Sequence, residues 1–414
     1  MPCNMKRNNK RLFFLILLLA AGLVFAGCRQ KKDDSAQEAS TSIRDMDPAN
    51  LDEITLEGMV DDILSQMTLE EKLGQMFLVS TDSLDYNAET AVTDAMKENL
   101  ARYHVGGIIY FSFNIKDREQ VQSFISEAGK DSRIPLFAAV DEEGGSVARI
   151  GNTEGMQVTT FPPMAEIGAS GDPSKAYVLG TTLASDLSRL GFNVDFAPVA
   201  DLATNAENTE IGDRSFGSDP ELVSQFVSQE VKGLQDNGVS ATLKHFPGQG
   251  DTQEDTHRGS VDLETNIDRL RDMEFIPFEA GIEAGADFIM VSHVSVKAVT
   301  GQEVPASLSK LMVSDILRDE LQYEGIIITD ALNMKSITKF YDSGQAALMA
   351  VRAGIDMILM PDNMDEAYSE VLEAVKKGSV SESRIEESVR RILTVKLKRG
   401  ILPLTSELIH GGEE

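Results

Sequence analysis

Short apolar runs separated by helical stretches constrain this chain more than any other feature. The runs are 75–80, 106–111, 135–141, 193–199, 239–246, 287–293, 325–330 and 356–360. Each is rich in Val, Ile, Leu, Phe or Ala, and none alternates strictly between apolar and polar. That is the pattern of parallel strands buried on both faces. Helical periodicity falls between and after them, at 118–129, 175–190, 220–237, 267–284, 309–321, 345–353, 364–377 and 381–399. An opening helical stretch, 56–73, carries Thr68 and Glu71 at capping-box spacing, which restarts the helix there. Eight such units predict a closed (β/α)8 TIM-type barrel in one domain rather than an open doubly wound sheet, which needs a topological switch point.

Three segments are expected. Residues 1–27 read as a signal peptide: Lys6, Arg7, Lys10 and Arg11 precede an apolar run, 12–25, too short to span a bilayer comfortably. The run ends in Val24-Phe25-Ala26-Gly27-Cys28, small residues before a cysteine, which resembles a bacterial lipoprotein signal with Cys28 as the lipidated residue. Residues 28–50 are polar and charged and read as a flexible tether, leaving 51–414 for the catalytic barrel. The expected location is extracytoplasmic, anchored to the cell membrane by lipid on Cys28. The chain's two cysteines are Cys3 and Cys28, so the barrel itself has no thiol for catalysis or for a metal. A formal charge of −29 makes nucleic acid an unsuitable partner and repels an anionic membrane surface, leaving lipid as the tether.

Polar residues gather where the runs end. The third leads into Asp141-Glu142-Glu143-Gly144-Gly145 with Arg149 close behind, and the fourth into Asp195, Asp201 and a loop holding Arg214. The fifth carries Lys244-His245, the sixth Ser292-His293, the seventh Thr329-Asp330. In a barrel these ends share one mouth. Taken singly they have plainer readings: Asp330 as a helix cap, 141–143 as a solvated acidic loop. The loop after Lys244-His245 is turn-rich, and Asp255 lies two residues before His257. On extended chain the two point to one side, so the carboxylate can orient the imidazole for general acid/base work. Asp330 suits the nucleophile opposite. A carboxylate nucleophile facing a proton donor is the logic of retaining glycoside hydrolysis, with a histidine in place of the usual second carboxylate.

These blocks, with Asn193–Val199, Ile211–Gly217 and Ile328–Met334, resemble glycoside hydrolase family 3 from about Thr68 to Leu402. Within it they resemble the bacterial β-N-acetylglucosaminidases (β-hexosaminidases) that act on peptidoglycan fragments. The resemblance implies Asp330 as nucleophile and His257 with Asp255 as acid/base dyad. It implies Asp141, Arg149, Arg214, Lys244 and His245 as the groups holding the sugar, a carbohydrate substrate, and no metal or organic cofactor. The chain departs from the family pattern in three places. Gln249 stands where the family has a further histidine and Thr256 where it has serine. Arg258-Gly259-Ser260-Val261 replaces the usual Leu-Pro, so the leaving-group side differs. The loop 247–261, with Pro247 and three glycines, is expected to close over the sugar. Three other readings stay open: a sugar-binding lipoprotein without turnover; a family member acting as β-glucosidase or phosphorylase; and a loop metallohydrolase using His245, Asp251, Asp255 and His257.

Overall fold

Apolar runs buried on both faces have one stable arrangement here, a parallel ring with helices outside it. The computed structural model describes residues 53–252, 259 and 261–403. The proposed signal, tether and Cys28 lie outside that range, as do Asp255, Thr256 and His257.

Ten strands form. They are β1 Phe77–Ser80, β2 Gly107–Ile109, β3 Phe137–Val140, β4 Glu142–Gly144, β5 Val147–Ala148, β6 Val194–Asp195, β7 Ser240–Phe246, β8 Phe288–Val291, β9 Ile326–Thr329 and β10 Ile358–Leu359. Eight of them, in the order β10-β1-β2-β3-β6-β7-β8-β9, make one parallel sheet. A parallel bridge between Ile328 and Met357 joins its two ends, so the predicted barrel closes. The remaining pair, β4 and β5, is an antiparallel hairpin at the mouth that the periodicity did not announce.

Each barrel strand is shorter than its apolar run. The fourth run, 193–199, keeps only Val194–Asp195 in regular pairing, because Pro198 has no N–H to donate. Its later carbonyls still accept from β7, Ala197 O from Thr242 N at 2.8 Å and Pro198 O from Lys244 N at 3.2 Å. The opening helical stretch is two helices, Glu53–Ser65 and Leu69–Gln75, and the second starts at the expected box. Thr68 N donates to Glu71 Oε2 at 2.8 Å and Glu71 N to Thr68 Oγ1 at 3.2 Å. Of the described helices longer than five residues, one, Asp94–Tyr103, was not expected. Its apolar face is short, with Met96 and Tyr103 buried and Leu100 between them half-buried.

The base of the barrel is closed by polar side chains. Lys396 is fully buried there, donating to Gln75 Oε1 at 2.8 Å and Gly106 O at 2.9 Å, with its Nζ 4.7 Å from the Phe137 ring centre. At the seam, buried Asp356 accepts from Ile327 N at 3.0 Å, Arg318 Nη2 at 2.6 Å, Ser388 Oγ at 2.7 Å and Arg391 Nη1 at 3.1 Å. One carboxylate thus ties β9 to the last helix, Glu382–Lys398. Asp356→Ala strands two arginines and a strand N–H together, and should cost about 3–5 kcal/mol of stability. Denaturant unfolding checks this; a loss below about 1 kcal/mol would show that the carboxylate does not hold the seam.

Candidate active site

The mouth is organised around a buried lysine. Lys244 sits inside β7, 2% exposed, and its Nζ lies 2.8 Å from Asp141 Oδ1 and 2.7 Å from Glu143 Oε1. Glu143 is held again from its other side. Arg214, on the loop after β6, donates Nε to Glu143 Oε2 at 2.8 Å and Nη2 to Oε1 at 2.7 Å, and sends Nη1 to Glu210 O at 2.9 Å. The result is an alternating chain, Asp141–Lys244–Glu143–Arg214. Burial alone would raise the Glu143 pKa, but the two cations outweigh it and hold the carboxyl down to about 2. Burial likewise works against the Lys244 charge, yet its two carboxylates carry its pKa above the ordinary value.

Glu142 points to a different task. Its carboxylate accepts from Ile150 N at 2.7 Å and Gly151 N at 2.8 Å, which fastens the turn just after Arg149. Burial pushes its pKa up to about 7. Arg149 is consequently fixed beside Asp141, with Nη2 3.6 Å from Asp141 Oδ2 and the guanidinium 5.9 Å from the Phe111 ring centre. Its Nε is buried with no hydrogen-bond partner among the described residues.

The His245 imidazole is oriented by Asp201, a fully buried residue on the loop after β6. Asp201 Oδ2 takes both the His245 backbone N–H at 3.1 Å and ring Nδ1 at 2.7 Å, and its Oδ1 takes Gln249 N at 2.8 Å. The carboxylate is an acceptor, so Nδ1 carries the proton in the neutral ring and Nε2 is left to accept.

Asp330 follows β9 and is pinned from three sides. Its N–H donates to Val291 O of β8 at 2.8 Å, and Leu332 N and Asn333 N donate to Leu359 O and Met360 O beside β10 at 2.9 and 3.0 Å. Buried His293 lies 3.0 Å by Nε2 from Ala331 O and 2.8 Å by Nδ1 from Ser307 Oγ. A carbonyl only accepts, so Nε2 is the protonated nitrogen and the serine hydroxyl donates to Nδ1.

Asp141, Arg149, Arg214, Lys244, His245 and Asp330 line one cavity of about 330 Å³. One wall is polar, with Asp141, Arg149, Arg214, Lys244, His245 and Glu210. The opposite wall is apolar, with Ile109, Phe111, Met334, Leu359 and Met360, and Asp330 also reaches the space. All six described candidates from the sequence therefore meet, and Asp255 and His257 lie outside the described residues. The root of their loop is fixed. Residues 247–252 are mostly buried, and a Cβ on Gly250 would stand 1.8 Å from Leu202 O, so only glycine fits that approach. Asn208 Nδ2 donates to Gln249 O at 2.8 Å and Asn205 Nδ2 to Thr252 O at 3.1 Å. Gln249 is itself buried, its Nε2 3.5 Å from Glu210 Oε1 and its Oε1 without a partner among the described residues. Asp251 is engaged by Thr204 Oγ1 at 3.1 Å and Arg269 at 3.3 Å.

The reading of 141–143 as a solvated acidic loop is corrected: Glu142 and Glu143 are 3% and 2% exposed. Neither was given a role in the sequence; Asp201 and His293 were named only as strand-end polar residues, and Glu210 was not named. Carboxylates in succession at the end of a doubly buried strand were the available signal for the first two.

Residues 68–395 match the family described as the glycosyl hydrolase family 3 N terminal domain. A beta-hexosaminidase A of Pseudoalteromonas piscicida is 32% identical over 340 residues, 75% of this chain and 56% of the relative, so the chain spans little more than half of that protein. A beta-hexosaminidase of Stenotrophomonas maltophilia is 34% identical, over 69% of this chain and 85% of the relative. Among solved structures, the chain is similar to a glycoside hydrolase family 3 beta-N-acetylglucosaminidase from Paenibacillus sp. The TM-score is 0.76 at 36% identity, covering 83% of this chain and 67% of that one.

Glu143 gives the site a testable acid limit. Its pKa is depressed from 4.5 to about 2, so the stability it contributes is in place above pH 4.5 and is lost as pH falls toward 2. Glu143→Gln should flatten that limb, and should cost about 3–5 kcal/mol at pH 7 by leaving Lys244 and Arg214 short of a counter-charge. Unfolding free energies measured across the pH range decide it; an unchanged acid limb contradicts the assignment.

Proposed function

The chain belongs to glycosyl hydrolase family 3, and from that premise we propose that it is a retaining exo-β-N-acetylglucosaminidase acting through a glycosyl-enzyme. The observation that carries this reading is the cavity itself, where Asp330 faces a wall of fixed carboxylates and cations. Such a wall suits a hydroxyl-rich ring. Asp141 accepts hydroxyl protons, and Lys244, Arg149, Arg214 and His245 donate or accept in turn. Because each is already held by a neighbour, little ordering is left to do when the sugar enters.

In the first step an Asp330 carboxylate oxygen bonds to the anomeric carbon as the glycosidic C–O bond breaks. His257, oriented by Asp255, gives its proton to the leaving oxygen. In the second step His257 takes a proton from water, the hydroxide equivalent bonds to the anomeric carbon, and the Asp330 ester bond breaks. Two inversions retain the β configuration. The anchored segment 247–252 supports this division of labour, since it fixes where the loop bearing the dyad leaves β7. Substrates ending in β-linked N-acetylglucosamine, peptidoglycan fragments among them, fit a site that grips one terminal ring. We further propose that lipid on Cys28 holds the enzyme at the outer face of the cell membrane, on the strength of the residues around that cysteine.

Asp330→Ala should lower turnover of an aryl N-acetyl-β-glucosaminide by about 10⁴-fold or more. Wild-type rates in that variant would remove the nucleophile and the reading with it. For the anchor, Cys28→Ser should move the protein from the membrane fraction to the soluble fraction and abolish fatty-acid labelling. Labelling that persists in the variant would refute it.

A further inference from the structure

Of the cations on the polar wall of the cavity, Arg149 is the least tied by its own side chain. Lys244 and Arg214 donate to carboxylates at 2.7 to 2.8 Å. Arg149 Nη2 stands 3.6 Å from Asp141 Oδ2, beyond hydrogen-bond reach, and its buried Nε has no partner among the described residues. Its place in the wall is therefore set by its backbone. Arg149 N donates to Asp141 O at 3.1 Å on one side. On the other side the next two residues give their N–H groups to a single carboxylate, Ile150 N to Glu142 Oε2 at 2.7 Å and Gly151 N to Glu142 Oε1 at 2.8 Å. The clamp is fastened in turn to the barrel, since Glu142 N donates to Asp195 Oδ1 of β6 at 3.0 Å.

Two amides aimed at one carboxyl group select its ionised form. A proton on either oxygen would set an O–H against an N–H and break one of the two bonds. Burial opposes the charge that the amides favour, and it outweighs them, which brings the change of state into the neutral range at about 7. The charged and titratable groups around Glu142 among the described residues do not reverse this. Arg149 favours the ionised form and Asp141 disfavours it. On β6, burial raises Asp195 well above its own ordinary value, and Glu142 adds to that rise.

We propose that Glu142 is a positioning residue of the sugar grip, and that protonation of this one buried carboxylate releases the Arg149 turn and weakens sugar binding as the medium acidifies. The identity of the ligand rests on the glycosidase reading above. The effect on stability has the opposite sign. A carboxyl raised from 4.5 to about 7 costs stability above pH 7, and that cost fades as pH falls toward 4.5. Acid therefore loosens the grip through Glu142 without loosening the barrel through it. The window lies above the one set by Glu143, whose contribution is lost only below pH 4.5.

Calorimetric titration with N-acetylglucosamine at about pH 8 and about pH 5.5 tests this, with wild type beside Glu142→Gln, whose amide does not titrate. Between the two conditions the affinity of wild type should fall about tenfold more than that of Glu142→Gln. Other groups titrate in both proteins, so the difference belongs to Glu142. Equal falls, or no fall in either protein, overturn the role. A second measurement needs no substitution. In wild type labelled with nitrogen-15 at isoleucine and glycine, the amide resonances of Ile150 and Gly151 should shift between the same two conditions, and resonances that stay in place overturn the clamp. Wild type that binds no N-acetylglucosamine in either condition overturns the glycosidase reading instead, and the amide shifts then decide the clamp alone.

Discussion

A lysine ammonium buried between two carboxylates is the interaction on which the mouth of this barrel depends. Lys244 would be a severe liability alone in the interior, and so would Glu143. Together with Asp141 and Arg214 they form a chain in which each charge has an opposite neighbour within 2.8 Å. Its members come from β7, the end of β3, the β4–β5 hairpin and the loop after β6. The chain therefore locks four separately folded segments into one surface. Its energetic return as a set of ion pairs is small, because desolvation offsets much of the attraction. What it secures is geometry: a wall of donors and acceptors whose positions are settled before any ligand arrives.

The barrel was legible in the sequence because its signal is repeated. Eight apolar runs at similar spacing outvote any single ambiguous segment, and each of the eight holds a barrel strand. Features that occur once were less visible. The β4–β5 hairpin is built on Asp141–Gly145, whose charges read as solvent-facing. Their burial depends on cations from Lys244 and Arg214, about 70 to 100 residues away in sequence. The helix Asp94–Tyr103 was hidden because its apolar face is short.

The same contrast holds at the site. Asp141, Arg149, Arg214, Lys244, His245 and Asp330 stood out because they end runs or belong to recognisable blocks, and all six line one cavity. Asp201 and His293 were mentioned only as strand-end polar residues. What they do is hold other groups, Asp201 the imidazole of His245 and His293 the carbonyl after Asp330. A holding residue has no signature of its own, since its identity is set by whatever it must hold.

The position of Asp330 raises a mechanical question, because it stands on β9 at the seam where the ring has its sparsest pairing. A nucleophile must stay within a fraction of an ångström of its target. The seam meets that demand with side chains where the ladder is short. Asp356 supplies a carboxylate acceptor to Ile327 N, and Thr329 Oγ1 accepts from Leu359 N at 3.0 Å. His293 holds the peptide that follows Asp330, and the turn beyond it hangs on Leu359 and Met360. Side-chain clamps of this kind leave backbone groups near the mouth free of strict register. The nucleophile's turn and the apolar wall beside it can then differ from the rest of the ring without opening it. Rigidity on the sugar side comes from charge pairs inside the barrel. On the nucleophile side it comes from neutral and charged clamps at the seam, and the two meet only across the cavity.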